Sequence, residues 1–271
     1  MTIELGLERL DPFALPPAAP PSRRPRLLSH VGRWGRARRW LASDALRVLD
    51  IGCSYGYGST AIAAAGPPGR IVVGVERDPD HLARAARDFP WVRILDADAT
   101  ELPLPDGCAD AVILLDVIEH IADPELVFAE AHRVLGARGA IIVTVPHAGL
   151  LGGLDALNLY AALRRRWPSL PALEAATESD GGPHRHYRLA ELEAELAPSF
   201  VVDRVSRTGL GLQELVTIAM IAARVGLRAD WLARALMPVH FIVSAVDYAL
   251  PVGPLAYNLA VRARVAPDGG L

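Results

Sequence analysis

The 271-residue sequence predicts an α/β fold: a doubly wound, mostly parallel sheet with helices on both faces. Two observations carry that prediction. Between Arg47 and Pro146, five short apolar runs are separated largely by stretches of helical period, the cadence of parallel strands joined by crossover helices. The first run then breaks, at VLDIGCSYGYGST, into an acid followed by spaced glycines. Open parallel sheets bind ligands at that place, outside the carboxyl end of the first strand.

The elements follow in order. Residues 1–26 lack the basic start and apolar segment of a signal peptide and read as a disordered, proline-rich leader. Leu27, Leu28, Val31, Trp34 and Leu41 recur at helical spacing while Arg33, Arg36 and Arg39 take other faces, so 27–41 reads as an amphipathic helix. Strands are expected at Arg47–Ile51, Arg70–Glu76, Trp91–Asp98, Ala109–Val117 and Ala140–Pro146, with helices at Ser59–Ala65, Pro79–Asp88 and Pro124–Leu135. This core spans 27–146. The insertion 147–187 has no clear period and is long for a connection, which favours a functional role. Residues 188–265 complete the core with a helix at Leu189–Leu196, a sixth strand (FVVDRVSRT) and a seventh (LAYNLAVRARV) whose apolar residues alternate. Between those two strands, an insertion at 209–252 carries two apolar helices, 213–225 and 230–248.

Composition narrows the function. All 28 basic residues are Arg and the net charge is −3, which argues against a nucleic-acid binder. Cys53 and Cys108 stand at no metal or disulfide spacing, so no metal site and a reducing cytoplasm are expected. Pro238, His240 and Asp247 interrupt the most apolar segment, and no transmembrane span is expected.

The glycines at 52, 56 and 58 do not match the G-x-G-x-x-G of dinucleotide sites, which disfavours a nicotinamide oxidoreductase. A tight turn with no ligand, or a non-catalytic binding protein, are the other readings. Acids sharpen the choice. Glu76, Asp98 and Asp116 close three successive strands, and Glu76 stands where a carboxylate can accept both hydroxyls of a ribose. Together they suit a nucleoside with a cationic or amine-bearing tail.

With those motifs in view, the sequence resembles the class I S-adenosylmethionine-dependent methyltransferases, particularly the quinone-biosynthesis and small-molecule group. VLDIGCSYGYGS is similar to the family's first motif, with Ser54 where a glycine often stands, and VVGVERDP to its second. DADATELPLPDGCADAVILLDVIEHIADP and HRVLGARGAIIVTVP resemble its third-to-fourth-strand run and its approach to the fifth. The resemblance implies a Rossmann-like sheet of seven strands with the last antiparallel, helical cap insertions, and S-adenosylmethionine as cofactor. It places Asp50, Gly52, Cys53 and Gly56 around the methionine part, Glu76 on the ribose, Arg77 or Asp78 beside the adenine, Asp98 and Ala99 at its amino edge, and Asp116 near the sulfonium. Glu119 and His120 match the family's Glu-His pair.

A hydroxyl acceptor also needs a base, and His147, His184 and His186 are the candidates, the last two on one side of an extended Pro-His-Arg-His-Tyr segment. The alternative is a hydrogen-bonded surface pair. Both insertions leave from carboxyl ends of strands, so both should rise on the cofactor side. The expected acceptor is a hydrophobic small molecule or a lipid-linked glycan, O-methylated in preference to C-methylation of a quinone ring. Seven Arg between Arg23 and Arg39, with Trp34 and Trp40, also suggest peripheral contact between a cytoplasmic protein and a membrane.

Overall fold

The structure is a computed structural model that describes residues 2–3, 11–14, 32–171, 184–197 and 199–267. Apolar runs rich in Val, Ile and Leu form the strands β1 (Thr2–Ile3), β2 (Arg47–Ile51), β3 (Ile71–Glu76), β4 (Arg93–Asp96), β5 (Ala109–Leu115), β6 (Leu135–Pro146), β7 (Phe200–Thr208) and β8 (Asn258–Val265). They make one sheet in the order β1-β4-β3-β2-β5-β6-β8-β7. Every pairing is parallel except those of β8, which runs antiparallel to both β6 and β7. The expected mixed sheet is therefore present. Strand order reverses at β2, between β3 and β5, so the crevice of the sheet opens at the glycine turn.

The helices are α1 (Gly32–Trp40), α2 (Tyr57–Ala64), α3 (Pro79–Asp88), α4 (Pro124–Val134), α5 (Ala156–Arg166), α6 (Leu189–Leu196), α7 (Leu212–Ile221) and α8 (Asp230–Ala249). The alternation of strand side chains sorts them between two faces. Leu49, Ile51, Val73, Val75, Val112 and Leu114 pack under α4 and α6 against Phe128, Val134 and Leu192. Val48, Val72, Ala111 and Ile113 point the other way, to α1 and α2, and Ile94 to α3. Each such fully buried side chain contributes about 1.5–3 kcal/mol. Pro at the first position and an Asp78 side chain that accepts the amides of Asp80 and His81 start α3 where the sequence predicts.

Three expectations are corrected. The leader is not wholly disordered: Thr2–Ile3 adds an eighth strand to the open edge of β4, Phe13 enters the core, and the buried Arg93 donates to the Pro12 carbonyl at 2.7 Å. An edge strand offers unpaired backbone groups, and those two residues satisfy some of them. The 147–187 insertion contains a regular helix, α5, started by the Asp155 carboxylate, which accepts the Asn158 amide at 2.8 Å. Three successive arginines and Pro168 masked its period. Finally, two of the α1 arginines turn inward: Arg33 bonds Asp116, and Arg36 bonds Ser206, Thr208 and the Tyr248 carbonyl. Trp34 packs against Gly58 and edge-on to Tyr57. Residues 27–31 of the expected helix, and Arg23, Arg24 and Arg26, lie outside the described residues.

Candidate active site

After β2 the chain turns through three left-handed residues, Gly52 (φ 70°), Ser54 (φ 50°) and Gly56 (φ 75°). Glycine is required at 52 on two counts. Its φ disfavours a side chain, and a Cβ there would lie 2.5 Å from a Val117 methyl, because the loops after β2 and β5 touch. The Gly52 and Cys53 amides both donate to the Val75 carbonyl, pinning the turn over β3. Cys53 contributes only its backbone to the crevice. Its side chain turns down onto Gly74 among Leu82 and Ile94, and burial pushes the thiol up, so the expected contact of Cys53 with a ligand is limited to its main chain. Asp50 lies under the turn and accepts the Ser59 hydroxyl at 2.5 Å. Burial pushes its carboxyl up to about 7, against the opposing pull of Ser59 and Arg33.

The acids at the strand ends are held in place. Glu76 accepts the Ser54 amide on Oε2 and those of Arg77 and Asp78 on Oε1, each at 2.9–3.0 Å, which leaves one acceptor site of the carboxylate's roughly four. Asp98 accepts the Thr100 amide and hydroxyl on Oδ1 and pairs through Oδ2 with Arg77 at 3.1 Å; the next residue, Ala99, is half-buried. Thr100 and then Arg77 draw the Asp98 carboxyl below its usual range. Asp116 follows β5 with φ 58°, a conformation Asp tolerates better than most residues. Its Oδ1 accepts the Thr144 hydroxyl at 2.6 Å, and its Oδ2 receives Arg33 of α1 and, at 3.3 Å, the Tyr248 hydroxyl of α8. Two elements remote in sequence thus close over one end of the crevice.

Beside Asp116, buried polar atoms without protein partners accumulate: Glu119 Oε2, His120 Nδ1 and His184 Nε2. Burial first, then Asp116, raises the Glu119 carboxyl well above its usual value, a shift toward the neutral acid. Burial and the neighbouring His184 push His120 down to about 4, so it is neutral. The His120 and His184 rings meet edge to face, centroids 4.5 Å apart. His184 Nδ1 lies 3.3 Å and His186 Nε2 2.9 Å from the same buried oxygen, Asp155 Oδ2. Burial alone would raise Asp155, but the two imidazoles and the Asn158 amide outweigh it and hold the carboxyl well below the usual range. An ionised Asp155 can only accept, so each imidazole presents its other nitrogen as the basic one: Nε2 on His184, Nδ1 on His186. The two histidines are therefore not equivalent. Asn158 fixes the segment by bonding both the amide and the carbonyl of His184. His147 lies elsewhere, buried, with Nδ1 2.9 Å from the Ala256 carbonyl; that bond makes Nδ1 the donor and leaves Nε2 basic. Among the described residues, His147 shares no hydrogen bond with the Asp155 group, and no cluster of three or more His, Cys, Asp or Glu is arranged to hold a metal. A surface cavity bordered by Arg47, Asp110 and Arg138 lies at the amino ends of β2, β5 and β6, remote from this chemistry.

Residues 49–143 match the methyltransferase-domain family model. Demethylmenaquinone methyltransferase of Thermus thermophilus is 32% identical over 205 residues, covering 72% of this chain and 89% of that protein. The chain belongs to the class I S-adenosylmethionine-dependent methyltransferases. Its cofactor is S-adenosylmethionine. A probable S-adenosylmethionine-dependent methyltransferase of Mycobacterium tuberculosis is 37% identical over 100 residues, but that match spans only 35% of the relative. In fold, the methyltransferase chain is similar to an S-adenosylmethionine-dependent methyltransferase of Mesorhizobium loti (TM-score 0.53, 20% identity, 88% of this chain and 99% of that one). It also resembles a phosphoethanolamine N-methyltransferase of Haemonchus contortus (TM-score 0.54, 19% identity, 86% and 51%).

The residues present fit the cofactor. Left-handed glycines give it bare backbone, an ordered carboxylate stands at the tip of β3, and acids end the next two parallel strands. Arg77 and Arg33 now occupy Asp98 and Asp116, and the exposed Arg77 pair is worth about 0–1 kcal/mol, a small cost to displace. Glu76 would hold the ribose, Asp98 and Ala99 the adenine edge, the 52–56 backbone the methionine part, and Asp116 the sulfonium end. Sequence reasoning missed Asp155, Asn158, Arg33 and Tyr248. Only Asp155 left a signal, as an acid directly before a Leu- and Ala-rich stretch.

Proposed function

We propose that this methyltransferase transfers its methyl group to a hydroxyl oxygen of a hydrophobic small molecule or lipid-linked glycan. One observation carries the choice of a hydroxyl: His184, anchored through Nδ1 by an ionised Asp155, has its basic Nε2 without a protein partner beside the His120 turn that follows Asp116. The bound cofactor supplies an activated methyl on a cationic sulfur, so the protein supplies alignment, dryness and proton removal. His184 Nε2 would take the hydroxyl proton as the oxygen bonds the methyl carbon and the carbon–sulfur bond breaks, its electron pair staying on a neutral sulfur. Asp155 holds the imidazole in the accepting tautomer and stabilises the imidazolium that results. Glu119, when protonated, can donate a hydrogen bond to the acceptor oxygen without repelling it. The apolar helices α7 and α8 support a hydrophobic acceptor.

A second reading, C-methylation of a quinone-type ring, is favoured by the similarity to demethylmenaquinone methyltransferase. The test is release of S-adenosylhomocysteine with phenolic, quinol and lipid-linked acceptors. His184→Ala and Asp155→Asn should lower kcat by about 10²- to 10⁴-fold with cofactor affinity unchanged. Full rates in both variants, and in His186→Ala and His147→Ala, would reject the base and leave the ring-carbon reading.

A further inference from the structure

The α7–α8 hairpin carries apolar side chains where a water-facing helix carries charge. Stepping by about 100° per residue, Trp231, Ala235, Pro238, Ile242, Val246 and Ala249 fall on one side of α8, and all are exposed. Trp231 is 67% and Ile242 62% exposed, and Leu227, in the turn before α8, is 70% exposed. The opposite side is tied to the core. Asp247 accepts the Leu210 amide at 2.7 Å, Tyr248 reaches Asp116, and α8 packs on α7 and α1.

Charge indicates what covers the apolar side. Arg224, Arg228 and Arg234 flank Leu227 and Trp231. Arg224 pairs with Asp230 at 3.5 Å, whereas Arg228 and Arg234 form no ion pair among the described residues. The tip is thus cationic on a chain of net charge −3. A second such group stands on α5, which packs on α7: it ends in Arg164, Arg165 and Arg166 followed by exposed Trp167. Amphipathic Trp beside Arg, around an apolar stripe, complements an anionic headgroup layer over an acyl interior. A second copy of the chain would meet no free carboxylate on α8, since Asp230 is paired and Asp247 buried.

We propose that the α7–α8 hairpin, with the end of α5, is a docking surface for an anionic lipid bilayer, on which α8 lies in the headgroup plane. Its 20 residues are long and apolar enough to cross a membrane by length and composition, but the Asp247 and Tyr248 anchors and Pro238 hold it along the protein surface. This places the membrane contact on the C-terminal insertion rather than on α1. It goes beyond the transfer reaction, and its test needs no acceptor.

The experiment is co-sedimentation of the full chain with vesicles of phosphatidylcholine alone, or of equal parts phosphatidylcholine and phosphatidylglycerol. The chain should partition onto the mixed vesicles at low salt and detach as salt rises. Arg228→Glu with Arg234→Glu, and separately Trp231→Ser with Ile242→Ser, should each lower partition at least about tenfold while thermal stability and cofactor affinity stay at the parent values. Arg138→Glu, exposed at the amino end of β6, should leave partition unchanged. Equal, negligible sedimentation with both vesicle types, or parent-level partition by the Arg228→Glu/Arg234→Glu chain, overturns the proposal. So does a concentration-dependent dimer that Ile242→Ser dissolves in a chain that ignores vesicles, which would assign the face to a second copy.

Discussion

Replacing Asp50 by Asn should make the protein more stable in alkaline solution, though Asp50 lies at the heart of the cofactor turn. Burial raises its carboxyl from 3.8 to about 7, and each unit corresponds to about 1.4 kcal/mol of preference for the neutral form. A folded-state value above the unfolded one means that the native state binds the extra proton. Stability therefore falls as pH rises from about 4 to about 7 and is level beyond. Well above pH 7 the native chain carries an ionised, buried Asp50 at a cost of about 4 kcal/mol, of which about 2–3 kcal/mol develops between pH 5 and 8.5. Asn keeps an oxygen for the Ser59 hydroxyl but never ionises, so it avoids that pH-dependent cost. Urea unfolding of both proteins, without added cofactor, should show the variant gaining about 2–3 kcal/mol on the parent from pH 5 to 8.5. The comparison across pH cancels the hydrogen-bond change common to both conditions, as well as the titration of every other group. A difference that does not move with pH would refute the reasoning, because it would show Asp50 solvated or already matched by a cation.

Two further outcomes follow from the same crevice. Glu76→Ala should weaken S-adenosylhomocysteine binding by about 1.5–3 kcal/mol in calorimetry, since the one charge-assisted bond its free acceptor site can make to the ribose and the anchor of the Ser54 amide are lost together. Gly52→Ala should lower thermal stability by about 1–3 kcal/mol, and adding Val117→Ala should recover only the part due to the methyl clash, because the φ of 70° remains unfavourable.

The sequence by itself determined the sheet and the glycine turn at its switch point. Both are written in local patterns: apolar runs of strand length, an acid and glycines at the turn, and Pro79 and Pro124 at helix starts, each acting through neighbours a few residues away. The helices at 79–88 and 189–196 and the strand at 200–208 match residue for residue. Local pattern was also enough for Glu76, Asp98 and Asp116, because a parallel sheet sets successive carboxyl ends side by side whatever the loops do. Only the tertiary structure decided the surroundings of His184. Whether its imidazole is solvated or held by a carboxylate depends on Asp155, 29 positions earlier, and on His120, 64 earlier, and no periodicity links residues so far apart. Arg33 read as one cation of an outer face, yet it reaches Asp116 because α1 folds over the crevice. The same holds for α8. Its composition allows a buried core helix, a membrane-crossing one or a surface one, and only the burial of Asp247 and Tyr248 shows which side faces in and leaves Trp231 and Ile242 facing out.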